Sequence, residues 1–395
     1  MFNRNLIVLS LAQIFSFTAA PITVFLSGII GSTMINDKSF ATLPAALMVV
    51  GTAIGSIFAS YIMSIKGRKF GFMFATIITS FSALTASYSI YENIFFIYCF
   101  SNLFIGIGHA FVAQYRFAAA ESVKREYAPT AISLILFASM IGALIGPNVA
   151  TLTKDLIPSV IYSGSYIFLS ILTIIPFFLF LFYSNEKLTT FYKTKSYNGR
   201  NYLDLFLQPK FIQAVVVSGL AYCTMSFLMT ATPISMHVLN HISLEKTGFV
   251  IIFHILAMFL PSLITGNLIK KFGNNNIMYS GVVILFISIL FNFYDQSFFN
   301  YLVGLILLGL GWNFLFIAGT SLLITSYEPE EKFRAQGMND FIVFSTQALG
   351  ALTAGLLLSF FGWKLINILC IPLLIIIILT IFISDKKQKS IIKLQ

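Results

Sequence analysis

Charge is scarce in this sequence: 10% of its 395 residues are Asp, Glu, Lys or Arg, against about 25% in an ordinary soluble domain. That composition points to a membrane protein. Cysteine is scarce too. Cys99, Cys223 and Cys370 all fall in apolar stretches, which argues against a disulfide framework. No Gly-x-x-x-x-Gly-Lys-Ser/Thr loop occurs, and the one sizeable polar segment, residues 184–210, is too short for a nucleotide-binding domain, so an ATP-driven pump is disfavoured. A metal-dependent enzyme fares no better. There is no His-Glu-x-x-His, and of the four histidines only His237 and His241 are closely spaced, without a third ligand. No filter loop or charged ring marks an ion channel or a metal-ion path. Neither enzyme activity nor a cofactor or metal is expected.

What fills the chain instead is apolar, 58% of it. A bilayer-spanning helix needs roughly 20 mostly apolar residues. Twelve such stretches lie near residues 5–30, 42–64, 71–90, 94–118, 131–153, 160–183, 211–235, 247–269, 276–294, 299–325, 335–358 and 363–384. The expected fold is an all-α integral membrane protein of twelve transmembrane helices, whose function sits inside the bilayer. The first stretch is longer than a signal peptide's apolar core, has only Arg4 before it and lacks a clear small-residue cleavage site, so it reads as a retained helix. Of the 24 basic residues, nineteen fall in inner loops and ends and four, Lys38, Lys154, Lys246 and Lys364, in outer loops; Arg116 lies near the inner boundary. This positive-inside bias places both termini in the cytoplasm, on the cytoplasmic (inner) membrane. The basic excess thereby finds a task in orientation and in contact with anionic lipid, with no nucleic acid required.

The chain repeats itself. "SYIMSIKGRKFG" from Ser60 and "GNLIKKFGNNN" from Gly266 align at an offset of 206, which sets Gly67 on Gly273. "GIGHAF" from Gly106 and "GLGWNF" from Gly309 align at an offset of 203, and Thr130 aligns with Arg334 at 204. Two parallel six-helix halves follow, residues 1–183 and 211–395, joined by a cytoplasmic linker at 184–210. Such repeats build carriers in which one half rocks against the other around a shared site.

Over essentially its whole length the pattern resembles the major facilitator superfamily. In the loop after the second helix, Gly67, Arg68 and Lys69 match that family's signature, while Ser60, Ser64 and Ile65 stand where glycine, acid and arginine are usual. The resemblance implies a conformational charge network that here lacks its usual acid. In the fifth helix "GALIGPN", with Gly142, Gly146 and Pro147, is similar to the Gly-x-x-x-Gly-Pro motif of the family's antiporters, although Ala150 and Thr151 replace the glycine pair expected afterwards. Small residues that let helices pack closely are the alternative reading of that motif. The stretches His254 to Gly273, Gln114 to Glu121 and Arg334 to Phe344 look like those of bacterial members whose substrates are diverse.

Ionisable groups inside a membrane are costly, about 2.5–3.5 kcal/mol at the centre even on the gentler scale, so each wants a partner or a task. Thirteen of the fourteen acids can be placed in loops, tails or the linker; Asp340 is the exception. If the eleventh helix begins near Pro329, Asp340 lies about three turns in. Arg116 lies about 33 Å along the fourth helix from Ile94, at similar depth. The two are candidates for a gate pair between the halves, made in one state and broken in the other; alternatively Arg116 snorkels to lipid phosphate and Asp340 bonds within its own half. His109, roughly 22 Å from Ile94 on the same helix, could contact solute or carry a proton, or be a neutral packing group. His254 offers the same choice about two turns before Pro261, which frees a backbone carbonyl one turn before itself.

Neutral candidates for solute binding are Gln13 and Thr18 on the first helix, Gln114 on the fourth, Tyr222 and Ser226 on one face of the seventh, Trp312 and Asn313 on the tenth and Gln347 on the eleventh. As a set they suit an uncharged or weakly charged, partly aromatic organic molecule. The expected activity is a monomeric secondary carrier that moves such a solute by alternating access, with proton-coupled uptake preferred. Proton-antiport efflux of drugs or metabolites stays open, and so does a carrier-like sensor.

Overall fold

The computed structural model describes residues 3–36, 40, 42–184 and 200–394. Of the expected linker, residues 185–199 lie outside the described residues, as does Lys38 of the outer loops. Among the described residues the regular structure is helical, with no strand.

Among the described residues eleven helical segments are long and apolar enough to cross a membrane: Arg4–Met34, Leu43–Lys66, Arg68–Tyr91, Phe95–Glu121, Arg125–Leu152, Ser163–Leu181, Pro209–Leu239, Glu245–Phe272, Asn274–Tyr294, Phe298–Leu323 and Lys332–Lys387. The last is far longer than one crossing. It is broken at Gly362, whose φ of 70° and ψ of 172° no helix contains, and so supplies an eleventh helix before the break and a twelfth after it. The chain therefore has the twelve-helix architecture. Large apolar side chains such as Phe81, Phe96, Phe100, Leu352 and Phe360 are more than half exposed, as helices bathed in lipid require.

Breaks in the helices follow from local chemistry. In the first, Arg4–Ser16 gives way to Ala19–Met34 across Phe17 and Thr18, and the Thr18 hydroxyl turns back to donate to the Phe15 carbonyl at 2.6 Å. In the eighth, Leu244–Phe259 yields to Ser262–Phe272 around Pro261. Gly67 and Gly273 end the second and eighth helices in nearly the same left-handed conformation, φ 83° ψ 164° and φ 82° ψ 162°. Only glycine adopts it without strain, so the sequence repeat is matched by a backbone repeat.

Two expectations need correction. The eleventh helix begins at Lys332, with Glu331 at its cap, and Pro329 lies before it. Asp340 is then eight residues in, about two turns instead of three. The fourth helical segment runs on to Glu121, which takes that acid out of the loops; the reason is the continuous small-residue run Ala118–Ala119–Ala120, which favours helix.

By density of contacts the chain forms two compact units. One holds the described residues up to Arg125, those from Ala138 to Ser184, and Phe333–Phe341; the other holds Glu126–Phe137, the described residues from Arg200 to Lys332, and those from Ile342 onward. Two short segments, Glu126–Phe137 in the fifth helix and Phe333–Phe341 in the eleventh, group with the unit that does not hold the rest of their helix. In the first unit, Ala19, Ile22, Leu26, Ile30, Tyr98, Ile105, Tyr166 and Leu169 form a buried cluster in which the Tyr98 and Tyr166 hydroxyls meet at 2.7 Å.

Candidate functional site

In the first unit the fourth helix brings its polar residues to a buried acid. Arg116 Nη2 is ion-paired with Asp340 Oδ1, and the arginine side chain is 5% exposed and the aspartate 0%. Gln114 Nε2 donates to Asp340 Oδ2 at 2.7 Å, and Asn339 Nδ2 donates to Oδ1 at 2.9 Å. Arg116 also donates from Nη1 to the Ala113 carbonyl at 2.8 Å and lies over the Phe117 ring at 4.4 Å. A buried carboxylate needs such donors, since its desolvation is offset only by close charge and hydrogen bonds. Asn339 gave no sequence signal because a neutral amide beside an acid is common on any polar helix face.

A second cluster lies at the C-terminal end of the same helix. Arg68 forms a fork onto Glu121, Nε to Oε2 at 3.1 Å and Nη2 to Oε1 at 2.6 Å. Gln336 accepts from Arg68 Nη2 at 2.8 Å and donates to Glu121 Oε1 at 2.8 Å. The acid missing from the Gly67-Arg68-Lys69 loop is therefore replaced in space by Glu121, 53 residues later. Its signal in the sequence is the acid that closes the stretch Gln114 to Glu121. Lys69 has a separate task, donating to the Leu181 carbonyl at the end of the sixth helix at 2.8 Å.

The other candidates of this unit divide into packing groups and groups with unused capacity. Gln13 Nε2 donates to Ser139 at 2.8 Å, while its Oε1 is buried without a partner, as is Gln114 Oε1. Thr18 is satisfied by its own helix. His109 stands 5.6 Å from the Phe17 ring, and its Nδ1 is buried without a partner. Gly142 and Gly146 seat the first helix: a Cβ on Gly142 would meet the Ile14 carbonyl oxygen at 2.5 Å, and one on Gly146 the Thr18 carbonyl oxygen at 3.1 Å. Pro147 continues inside that helix. Close packing explains this motif without reference to transport direction.

In the second unit the aromatic candidates converge. Trp312 is stacked on Phe316 at 4.9 Å with 12° between the rings, and the half-buried Tyr222 meets both edge-on at 5.1 and 5.4 Å. Phe344 stands 6.1 Å from Tyr222. Trp312 is 1% exposed, yet its Nε1 has no acceptor. Ser226 is buried on the Tyr222 helix and Gln347 is half-buried. Asn313 is different. Its Nδ2 donates to the Met258 carbonyl and to Ser262 and its Oδ1 accepts from Thr265, all at 2.7 Å, so its capacity is spent in tying the tenth helix across the Pro261 break.

His254 is fully buried with Nδ1 on the Leu305 carbonyl at 2.7 Å and Nε2 unpartnered. His237 is exposed and bonds the Ile242 carbonyl at 2.9 Å. Gly266 lets the eighth helix reach the N-terminal end of the fifth, where a Cβ would meet Thr130 Cα at 2.6 Å. Sequence reasoning also missed the Arg200–Glu331 pair. Arg200 Nε donates to Glu331 Oε1 at 2.8 Å, Nη2 reaches Oε2 at 2.5 Å, and the arginine's own backbone N–H donates to Oε1 at 2.9 Å. The Arg200 guanidinium holds the Glu331 carboxyl well below the usual carboxylate range, at about 2. No group of three His, Cys, Asp or Glu side chains that could hold a metal occurs among the described residues.

Comparison with known proteins places this geometry. The sequence profile of the Major Facilitator Superfamily matches residues 214–394. The chain is 31% identical over 386 residues to the riboflavin transporter RfnT of Brucella anthropi, covering 98% of this chain and 97% of that one. It is 27% identical to the uncharacterized MFS-type transporter YdeG of Bacillus subtilis, across 91% of this chain and 86% of the relative. Among solved structures, the human organic anion transporter MFSD10 superposes with a TM-score of 0.76 at 14% identity, covering 96% of this chain and 99% of the other. A bacterial homologue of the iron transporter ferroportin in an outward-facing state gives 0.70 at 12% identity, covering 98% and 100%. At those identities the likeness concerns the fold. The profile match, and a relative above 30% identity across nearly the full length of both chains, establish that the protein belongs to the major facilitator superfamily of membrane transporters.

Proposed function

We propose that this protein takes up riboflavin, or a flavin-like flat heteroaromatic solute, across the cytoplasmic membrane by proton-coupled alternating access, with both termini in the cytoplasm. The observation that carries this reading is the full-length 31% identity to a riboflavin transporter. The chemistry of the site supports it. In the second unit the Tyr222, Trp312, Phe316 and Phe344 rings suit a planar aromatic solute, and the unpartnered Trp312 Nε1 is hydrogen-bonding capacity held in reserve. Arg116 with Asp340 is the gate pair of this cycle, made in one end state and broken in the other. The carrier works as a monomer, takes a small molecule and protons as partners, and rests its basic inner loops on anionic lipid.

The test is transport of labelled riboflavin, with a panel of other solutes, in right-side-out and inverted vesicles under an imposed proton gradient. Riboflavin accumulates in right-side-out vesicles, and a protonophore collapses the accumulation. Accumulation only in inverted vesicles would establish the second reading, antiport efflux. Accumulation indifferent to protonophore would remove the proton from the mechanism.

A further inference from the structure

Within the first unit a small cavity of about 10 Å³ opens between helices, a size at the threshold for one water. Its lining sets Ala19, Ala75 and Val112 beside residues that carry a hydroxyl or a ring nitrogen: Ser16, Thr76, Thr79, Thr173, Tyr115 and His109. The Ser16 and Tyr115 hydroxyls meet at 3.3 Å and the Thr76 hydroxyl is turned to the Met73 carbonyl at 2.7 Å. His109 Nδ1 has no partner at all, although it is sealed from solvent. The residue as a whole is half-buried, so its remaining exposure lies away from that nitrogen. A buried ring nitrogen without a partner costs on the order of 1–3 kcal/mol unless water satisfies it. A water needs two to four polar partners, and the cavity offers them.

We propose that His109 is the proton-binding residue of the carrier, exchanging its proton at Nδ1 through a single water held in this cavity. The inference rests on the proton-coupled reading above and names the group that performs it. With the neutral ring's proton on Nε2, Nδ1 presents a lone pair to the water. A hydronium formed there gives its proton to that lone pair and remains as water; the imidazole becomes imidazolium, and the reverse transfer releases the proton on the other side. Asp340 is the obvious rival, being the buried acid. Protonating it would strip the partner from a buried Arg116, and an uncompensated buried charge costs about 3–5 kcal/mol. Binding a proton at His109 leaves the Arg116–Asp340 pair in place, and the charge it adds, which faces Arg116, is offset by the water and the hydroxyl-bearing residues of the cavity. The titratable or charged side chains placed against His109 are Tyr115 and Arg116 on its own helix, while from the first, third and sixth helices Ser16, Ala19, Ala75, Thr76, Thr79 and Thr173 share its cavity and Phe17 meets its ring.

Two arms test this, one without transport. In the purified protein in nanodiscs, with ring-labelled histidine, the resonance lost in His109→Gln identifies His109; it titrates reversibly in the folded carrier, and Thr79→Val, which removes a water partner, moves its midpoint. A His109 resonance that keeps one state throughout the folded range overturns the proposal, whatever the solute proves to be. In proteoliposomes, His109→Gln lowers the ratio of gradient-driven riboflavin accumulation to riboflavin counterflow at equal pH by at least tenfold. An unchanged ratio, in liposomes where protonophore abolishes wild-type accumulation, overturns it while leaving proton coupling standing. Should His109→Gln fail to fold, Thr79→Val carries both arms, with a shifted pH profile expected and an unshifted one counting against the water.

Discussion

Gly337 of the eleventh helix lies directly against Ser60 of the second: a Cβ on the glycine would meet the Ser60 Cβ at 2.7 Å, and the Ser60 hydroxyl donates to the Phe333 carbonyl. The repeat carries the counterpart in reverse. Gly266, which aligns with Ser60, lies against Thr130 and Ser133 of the fifth helix, and Ser133 occupies the place that Gly337 holds in the eleventh. Each contact therefore sets one glycine against one serine, with the order exchanged between repeats. Close approach of this kind is how membrane helices associate without a hydrophobic driving force.

Substituting either glycine tests the contacts. A Cβ at Gly266 meets Thr130 Cα at 2.6 Å and the Pro129 carbonyl oxygen at 2.7 Å, backbone atoms that cannot rotate away. At Gly337 the nearest atoms belong to the Ser60 side chain. Gly266→Val is thus expected to lower stability by the greater amount, within the roughly 1–3 kcal/mol of overpacking, and Gly337→Ala by less. Thermal unfolding of the purified variants measures the order. Equal melting temperatures for Gly266→Val and wild type would show that the two helices do not rely on this approach.

The Arg116–Asp340 pair yields a second prediction. Asp340 accepts from Arg116, Gln114 and Asn339. Reversing one charge leaves two like charges buried together, so Arg116→Asp and Asp340→Arg each lose transport and about 3–5 kcal/mol of stability. The double reversal regains much of both, because Gln114 and Asn339 are amides that can turn their oxygens toward an arginine as readily as their nitrogens toward a carboxylate. Riboflavin uptake and melting temperature of the three variants are compared at matched expression. A double reversal no better than the singles would deny that the two charges act as a pair.

How far the sequence was legible depends on range. Apolar runs, Gly67, Gly273 and the Pro261 break act within a turn of themselves, so the helices and their ends could be read directly. Arg116 and Asp340 stood out because each is an isolated charge in an apolar run, and that rarity carried the signal across 224 residues. Glu121 and Glu331 did not stand out. Both lie at helix ends where acids are ordinary, and only the folded chain brings Arg68 to one and Arg200 to the other. Asn313 shows the same dependence on range: its amide stood out beside Trp312, and the bonds it makes, to Met258, Ser262 and Thr265, lie about 50 residues away in the chain.

Glu331 makes stability depend on pH. Its carboxyl titrates at about 2 in the folded chain, chiefly because Arg200 hydrogen-bonds to it, against about 4.3 when unfolded. A depressed folded value means the stabilisation is fully present above the unfolded value and is lost as pH falls through the folded one. With the Arg200 side chain 31% exposed, solvent screening leaves about 1–2 kcal/mol of it. Wild type should therefore melt above Glu331→Gln at pH 6, and the gap should close between pH 4.5 and about 2. A gap independent of pH over that window would assign the effect to packing.

The two tryptophans allow solute binding to be observed without transport. Trp363 donates from Nε1 to the Asn292 carbonyl at 3.1 Å and packs on Tyr301 at 5.0 Å. Trp363→Phe keeps the ring contact and loses one hydrogen bond, about 1 kcal/mol, leaving Trp312 as the sole tryptophan. Trp312 is sealed from solvent by Phe316, Phe259 and Tyr222, so water-soluble quenchers should reach it poorly. Riboflavin absorbs where tryptophan emits, and a flavin seated over the half-buried Tyr222 should quench Trp312 saturably, by at least about half. Tyr222→Ala should weaken the apparent affinity by up to about tenfold, in line with the roughly 0.5–1.5 kcal/mol that an aromatic contact contributes. A decrease that rises linearly with riboflavin and is the same in Tyr222→Ala would be absorption by free flavin, and the aromatic cluster would then have no part in solute binding.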